Sequence, residues 1–396
     1  MNGRPVTPPL DAALRATFAR VRERTSALAA LAHEGRSGAF RLDLGLIDAL
    51  VEAIAERAGA CSREAWHGRL AHLEPEPGAR FARFPGANPA DRARAAADFV
   101  VVSALLDAGA GPRWSYRCGE ARLARSEGLA AASYAWLAHG GLSTQKIHLV
   151  CDGARLAAIA DAELADALQV DEGNPIVGLA GRAATLRRLG EALAARPEWF
   201  GPEARPGAIV DRLAEQARGG RLDVSDAFDL VLEAFEPVWP GVPGVGDTWP
   251  HPALGDERVT WVPFHKLAQW LTVSLAEPLA WGGVELVAKT PPPPLAEYRN
   301  GGLLLDRGAI APLDPTITAV PRTVGDPIVV EWRALTVALL DRAGPAIRAR
   351  IGASAGDLRA AGAIERASWS LGRELARAKR IDGASPLALD SDGTVF

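Results

Sequence analysis

Cysteine is scarce in this chain of 396 residues, which contains only three. Cys61, Cys118 and Cys151 are too few and too scattered for a disulfide framework or a zinc site. The motifs GxxxxGK[ST], HExxH, GxSxG and CxxC are absent, and no GxGxxG follows a predicted strand. These absences argue against a P-loop NTPase, a Rossmann dehydrogenase, a zinc protease and an α/β-type serine hydrolase.

An excess of positive charge is also lacking, since the net charge is −4 and the pI is about 6.0. A dedicated nucleic-acid binder usually has a basic domain. The N-terminal residues have no apolar core of the kind found in signal peptides. The longest uncharged stretch, Gly128–Gln145, has the pattern of a helix followed by a loop rather than that of a membrane span. The sequence therefore predicts a cytoplasmic protein with no nucleic-acid or membrane partner, and it indicates no particular oligomeric state.

Apolar residues make up 48% of the chain and charged residues 23%, which is enough apolar material for a substantial core. Apolar positions recur mainly at spacings of three and four, so we predict a mainly α fold with a few short strands and long Pro/Gly-rich loops. We expect a flexible N-terminus over residues 1–12 and a single large helical domain over 13–396. A sub-boundary near residue 170 would separate an N-terminal helical layer, 13–170, from a catalytic core, 171–396.

The periodic segments define the predicted elements. The predicted helices are Asp11–Leu31, Leu44–Ala58, Asp91–Asp107, Ala154–Leu168, Val177–Ala195, Ile209–Arg218, Ser225–Phe235, Phe264–Leu279, Val330–Asp341 and Ala361–Lys379. The predicted strands are Lys146–Cys151, Val259–Val262 and Val284–Ala288. Long loops rich in proline and glycine are functional in many proteins, and here they are predicted at Glu236–Glu257, Thr290–Pro294 and Ala311–Pro327.

The segment Gly109–Leu129 concentrates polar and aromatic side chains around a Gly/Pro turn and a helix start. Trp114, Arg125 and Glu127 are its candidate binding residues. The alternative is that Ser126 merely caps the helix and that its neighbours are solvated.

The segment Trp261–Trp270 is predicted to be a short strand followed by a helix. His265, Lys266 and Gln269 fall in the first turns of that helix, where the backbone favours an anion. This pattern predicts a seat for a phosphate or an oxyanion. A solvated lysine and a core histidine would explain it equally well.

The segment Leu295–Asp306 follows a tetraproline and is predicted to be a turn closed by two glycines. A carboxylate, a phenol, a guanidinium and an amide on one rigid turn would suit a polar ligand. The candidates are Glu297, Tyr298, Arg299 and Asn300. The alternative is a charged surface turn.

In Val329–Asp341, two charged residues, Glu331 and Arg333, are embedded in an apolar helix start. They are candidate binding residues. A buried ion pair or a cap is the alternative interpretation.

Several blocks, in collinear order from about residue 15 to the last residue, carry a family resemblance. They are HGRLAHLE, RSEGL, NPIVGLAGRAATLRRLGEAL, VPFHKLAQWL, EYRNGGLLLD, VVEWRALTVALLDR and SDGTVF. Together they resemble the URC uracil-catabolism family, and most closely its fourth component. HGRLAHLE departs from that family's HSRWRHFE, so the resemblance assigns no role to His67, Arg69 or His72. It implies a place in a route in which the pyrimidine ring is opened and ribosylurea-type intermediates release urea.

FHKLAQ, EYRNGG and EWRA are also similar to blocks of the queuosine 5′-phosphate N-glycosylase family. That similarity implies a helical fold like that of DNA glycosylases. It also implies hydrolysis of a ribosyl–base bond, with Glu297 at the position of the catalytic carboxylate, where the family has aspartate. The other matching positions are Lys266, Tyr298, Arg299, Glu331 and Arg333.

From these resemblances we predict an N-glycosidase that acts on a small ribosyl substrate, ribosylurea or its 5′-phosphate. A carboxylate stabilises the oxocarbenium-like state of such a reaction, and we assign this role to Glu297. An imidazole is suited to protonate the leaving group, and we assign the role of general acid to His265. Lys266 with one arginine would hold a phosphate, Tyr298 would bind ribose, and Trp114 or Trp270 would form a wall. No metal or organic cofactor is required. The alternatives are a non-catalytic partner or regulator of the ring-opening pathway and an N-glycosylase for another base.

Overall fold

The computed structural model describes residues 17–61, 66–239, 241–242, 245–255 and 260–390. Several predictions concern residues outside these ranges. They are the flexible N-terminus 1–12, the first residues of the helix Asp11–Leu31, Val259 of the strand Val259–Val262, and the C-terminal block SDGTVF.

Helices dominate the described residues, which confirms the mainly α prediction. The α-helices are α1 Phe18–His33, α2 Ile47–Gly59, α3 Arg69–Leu73, α4 Pro77–Arg83, α5 Pro89–Leu105, α6 Arg125–Ala138, α7 Gly153–Ala157, α8 Asp161–Ala167, α9 Leu179–Ala195, α10 Pro197–Phe200, α11 Ile209–Gln216, α12 Val224–Ala234, α13 Lys266–Ser274, α14 Ala276–Trp281, α15 Tyr298–Asp306, α16 Pro327–Arg350 and α17 Leu358–Lys379. Short 3-10 helices occur at Leu44–Leu46, Pro206–Ala208, Glu236–Val238, Pro252–Leu254 and Pro315–Thr318. None of the helices in the described ranges is long and apolar enough to cross a membrane.

The strands are short and pair two by two. They are β1 Phe40–Leu42, β2 Ser115–Cys118, β3 Ala121–Ala124, β4 Arg221–Asp223, β5 Thr248–Pro250, β6 Trp261–Pro263, β7 Glu285–Val287 and β8 Ile310–Pro312. The pairs β1–β8, β2–β3 and β5–β6 are antiparallel, and β4–β7 is parallel. The β5–β6 pair leads directly into α13 and thereby positions Lys266.

Three predicted elements are wrong, and a fourth has different bounds. The helices predicted over Ala154–Leu168 and Phe264–Leu279 are each two helices, α7 and α8 in the first case and α13 and α14 in the second. The strand predicted over Lys146–Cys151 is a series of turns, in which Lys146 and Leu149 have positive φ angles of 58°. The helix predicted from Asp91 begins earlier, because Asn88 is its cap and accepts the backbone N–H of Asp91 at 2.9 Å.

The predicted turn over Leu295–Asp306 is also wrong, because this segment forms helix α15. Its glycines serve close packing instead of a turn. A Cβ on Gly301 would lie 2.6 Å from the Trp332 ring of α16, and one on Gly302 would lie 3.2 Å from Pro386. Glycine normally costs about 0.5–1 kcal/mol inside a helix, so here the close approach of the neighbouring elements requires it.

The largest buried cluster runs from Phe18 to Leu286, on both sides of residue 170, and α5 contributes many of its residues. A second cluster joins α2, α15, α16 and α17. Helices α15 and α17 are in intimate contact, because a Cβ on Gly372 would collide with the backbone of Arg299. This contact fixes the site-bearing α15 against α17.

Candidate active site

A cavity of about 570 Å³ lies where several parts of the chain meet. Its volume is in the usual range for small-ligand sites. These parts include the α3 region, the segment after α5, the starts of α6 and α13, the α15 region, the middle of α17 and the segment after α17. The charged and polar lining residues include His67, His72, Asp107, Arg125, Ser126, Lys266, Glu297, Tyr298, Arg299, Glu365, Asp382 and Asp390.

Glu297 is the N-cap of α15 and contributes to the cavity wall. The tetraproline before it keeps the chain extended, and the helix starts at the next residue. The backbone N–H of Arg299 donates to both oxygens of this carboxylate, at 2.9 Å to Oε1 and 2.5 Å to Oε2. The backbone N–H of Asn300 also donates to it. The side chain is therefore fixed in position, and only 6% of the residue surface is exposed.

Lys266 is the first residue of α13 and also lines the cavity. Its backbone N–H donates to the Asp247 carboxylate at 3.2 Å. Arg333 of α16 binds the same carboxylate with two hydrogen bonds of 2.7 Å, and its Nε donates to the Ala296 carbonyl at 3.4 Å. Arg333 therefore connects the start of α13 to the residue that precedes Glu297.

Glu365 of α17 joins the same wall as Glu297. Asn300 donates its side-chain N–H to Glu365, and its oxygen accepts the Ser368 hydroxyl at 2.8 Å. Burial raises the pKa of Glu365 to about 7. Burial also raises the pKa of Glu297 well above its ordinary value; Lys266 opposes this rise and the Glu365 charge adds to it.

An aromatic corner closes one side of the cavity. The rings of His67 and His72 lie 5.4 Å and 5.7 Å from the Trp270 ring, and 6.0 Å from each other. Burial lowers the pKa of each histidine to about 3. Both imidazoles are therefore neutral at pH 7 and able to donate and accept one hydrogen bond each. Beside them, Asp107 forms an ion pair with the buried Arg69 at 2.9 Å.

Two guanidinium groups, those of Arg125 and Arg299, also line the cavity. Arg125 begins α6 with a φ of 57°, an unusual conformation for a residue with a side chain. Arg299 donates to the Gly383 carbonyl at 2.7 Å and lies 4.6 Å above the Tyr298 ring. Burial, together with the charge of Glu297, raises the pKa of Tyr298, so its phenol is protonated at neutral pH.

Of the predicted site residues, the cavity brings together Lys266, Glu297, Tyr298, Arg299 and Arg125. The predicted acid, His265, is not among the described residues of this wall. It is the N-cap of α13, and its Nε2 lies 3.0 Å from the Thr248 hydroxyl. Burial lowers the pKa of His265 to about 4. The structure therefore does not support an acid role for this imidazole.

The other predicted binding residues have structural contacts instead of cavity positions. Gln269 donates to the Phe264 carbonyl at 2.8 Å, and Asn300 lies behind the two carboxyl groups. Glu331 accepts the backbone N–H groups of Ala39 and Phe40, and Trp114 donates to the Leu168 carbonyl. Arg333 forms an ion pair with Asp247, and Glu127 forms one with Arg373. The alternative interpretation of a buried ion pair describes Arg333, whose partner is Asp247. Glu331 instead accepts backbone N–H groups at the start of β1.

The cavity residues that the sequence analysis missed include His67, His72, Asp107 and Glu365. The block HGRLAHLE held a usable signal, because histidine occurs only seven times in the chain. The sequence around Glu365 holds no such signal, since Glu365 is one of many charged residues on an amphipathic helix. Within the described part of the chain, no group of three or more His, Cys, Asp or Glu side chains is arranged to hold a metal.

The fold and the cavity define a mainly helical protein in which two buried carboxyl groups, those of Glu297 and Glu365, line a cavity of small-ligand size. The chain belongs to the family described as "Protein of unknown function (DUF1688)", which matches residues 14–396. It is 33% identical over 414 residues to Uracil catabolism protein 4 of Lachancea kluyveri, covering 92% of this chain and 93% of that protein. It is also 33% identical over 348 residues to Protein urg3 of Schizosaccharomyces pombe, covering 83% and 84%. These matches confirm the resemblance to the URC uracil-catabolism family. The similarity to the queuosine 5′-phosphate N-glycosylase family stays a prediction.

Proposed function

We propose that this protein takes part in uracil catabolism as a hydrolase of N-glycosidic bonds. Its substrate is ribosylurea or the 5′-phosphate of ribosylurea, and its products are urea and ribose or ribose phosphate. The name of the Lachancea kluyveri relative supports the pathway. The observation that carries the reaction type is the Glu297 carboxyl group, which is fixed by backbone N–H groups at the wall of a cavity of about 570 Å³.

Cleavage of a ribosyl C–N bond passes through a state in which C1′ carries positive charge. A fixed carboxylate stabilises that charge without reorganising during the reaction. Glu297 supplies this carboxylate, and it accepts a proton from the water that attacks C1′. Lys266 favours the ionised form of Glu297 by its charge.

The rest of the cavity suits the two ends of the substrate. The neutral rings of His67 and His72, tilted by 58° and 47° to the Trp270 ring, offer hydrogen-bonding atoms and a ring edge or face to a ureido group. Tyr298 offers a hydroxyl to ribose. Arg125, at the start of α6, offers a guanidinium to a phosphate if the substrate carries one.

The test incubates purified protein separately with ribosylurea, its 5′-phosphate, uridine and UMP, and measures urea and uracil by mass spectrometry. We expect urea from ribosylurea or its phosphate and no uracil from the other two. The Glu297→Gln variant should bind the substrate in calorimetry but release no urea. Release of uracil would favour an N-glycosylase for another base. A folded wild-type protein that turns over none of the four would favour a non-catalytic partner of the pathway.

A further inference from the structure

The arrangement of Glu297 and Glu365 assigns a role that the proposed function leaves open. The two carboxyl groups come from different helices, α15 and α17, and line the same cavity. Asn300 contacts both of them: its backbone N–H donates to Glu297 and its side-chain N–H donates to Glu365. The hydroxyl of Ser368 holds the Asn300 oxygen and so fixes this orientation of the amide.

The electrostatics of the pair favour one proton shared between two carboxyl groups. Burial raises the pKa of Glu365 to about 7, and burial and the Glu365 charge raise that of Glu297. Two neighbouring buried carboxylates do not both ionise readily. Lys266 offsets one negative charge and not two.

The proton and the charge have different preferred positions. Glu297 caps α15, so it accepts two backbone N–H groups and lies at the positive end of the helix dipole. Glu365 lies inside α17, where it accepts the backbone N–H of Leu295 at 3.3 Å and the side-chain N–H of Asn300. It therefore has a similar number of donors but no helix terminus to stabilise its charge. The negative charge therefore rests on Glu297, and the proton rests on Glu365.

We propose that Glu365 is the general acid that protonates the leaving group, while Glu297 remains the carboxylate that stabilises C1′. This inference rests on the proposed function. As the bond between C1′ and the ureido nitrogen breaks, its electron pair stays on the urea and the urea takes the proton of Glu365. Water adds to C1′ and gives a proton to Glu297. Transfer of that proton to Glu365, directly or through solvent, restores the starting state and balances the hydrolysis.

A substrate whose leaving group needs no proton distinguishes the general acid, Glu365, from the stabilising carboxylate, Glu297, because only the second is needed to cleave it. 4-Nitrophenyl β-D-riboside carries such a group, whereas urea is a poor leaving group unless it is protonated. We expect Glu365→Gln to lose about 10²–10⁴-fold in kcat on ribosylurea, the usual contribution of a general acid, and to stay within about tenfold of wild type on the nitrophenyl riboside. Glu297→Gln should lose activity on both compounds. The amide oxygen introduced by Glu365→Gln still accepts from Asn300, so the variant should fold, and circular dichroism checks that it does.

The pH profile gives a second readout. The charged and titratable groups near Glu365 are Glu297 on α15, Lys266 on α13 and His67 before α3. In wild type, kcat/KM for ribosylurea should fall as the pH rises above about 7, where Glu365 loses its proton. That fall should be absent in Glu365→Gln.

Three results would overturn the assignment. The first is an equal loss on both compounds in Glu365→Gln, and the second is full activity of that variant on ribosylurea. The third is the selective pattern appearing in Glu297→Gln instead. If wild type cleaves the nitrophenyl riboside but not ribosylurea or its phosphate, the substrate in the proposed function is wrong. If it cleaves none of the three, the proposed function fails and the assignment of Glu365 fails with it.

Discussion

The ion pair between Arg333 and Asp247 permits a quantitative test of how the site is held together. Both residues are almost fully buried, with 1% and 5% of their side-chain surfaces exposed. Replacing Arg333 by leucine leaves the Asp247 carboxylate buried without its counter-charge. Breaking a buried pair in this way costs about 3–5 kcal/mol. Since Trp249 Nε1 and the Lys266 N–H still donate to Asp247, we expect a loss near 3 kcal/mol, the lower end of that range.

The assay is urea denaturation followed by tryptophan fluorescence, with Arg350→Leu as the matched control. Arg350 pairs with Glu52 at a similarly short distance, 2.7 Å, but 40% and 66% of the two side chains are exposed. Exposed pairs contribute about 0–1 kcal/mol, so this variant should stay within that range. Equal free energies of unfolding for the two variants would refute the reasoning.

The same variant has a predictable pH dependence. In wild type, burial acts to raise the pKa of Asp247, but the charge and hydrogen bonds of Arg333 hold it below the ordinary value of 3.8. The stabilisation is therefore fully present above pH 3.8 and is lost as the pH falls through the lower, folded-state pKa. In Arg333→Leu, the charge of Arg333 no longer opposes burial, so the pKa of Asp247 rises relative to wild type. The difference in stability between wild type and variant should be largest at neutral pH and should shrink toward pH 4.

Three further variants have expected outcomes. His265→Asn should keep kcat on ribosylurea within about tenfold of wild type, since loss of a general acid would cost about 10²–10⁴; a larger fall would return the acid role to this residue. Gly372→Ala should lower kcat/KM, because its Cβ meets the Arg299 backbone and displaces the start of α15. Gly59→Ala, whose Cβ would meet only a side-chain atom at 4.0 Å, is its control. Asp98→Leu breaks an ion pair away from the cavity whose carboxylate is fully buried and whose arginine, Arg205, is 19% exposed. It should cost about 3 kcal/mol in urea denaturation, the lower end of the range for buried pairs, with unchanged kcat per folded molecule.

The helical character of the fold followed from apolar spacing, but the elements of the site did not. Helix α15 was predicted as a turn because Gly301 and Gly302 usually interrupt helices. Here the ring of Trp332, distant in sequence, occupies the space that a side chain would need. No local pattern contains that information, since it depends on how α15 and α16 pack.

The candidate site was predicted in part, for an equally physical reason. Lys266, Glu297 and Tyr298 were identified from similar sequence blocks, and all three line the cavity. His265 belongs to the same block as Lys266. Its backbone has the left-handed conformation at the α13 cap, and its Nε2 lies beside the Thr248 hydroxyl and not in the described cavity wall. Glu365 reaches the cavity only because α17 packs on α15, and a single charged residue on an amphipathic helix does not reveal such a contact.

The central claim is that this cavity hydrolyses the bond between ribose and a urea nitrogen. The most direct measurement follows release of ¹⁵N-labelled urea from labelled ribosylurea and from its 5′-phosphate, with wild type and Glu297→Gln at equal concentrations of folded protein. We expect wild type to release urea and ribose, or ribose phosphate, in equal amounts from one of the two compounds. We expect Glu297→Gln to bind that compound without releasing urea. Urea release at the wild-type rate by Glu297→Gln would contradict the proposed function.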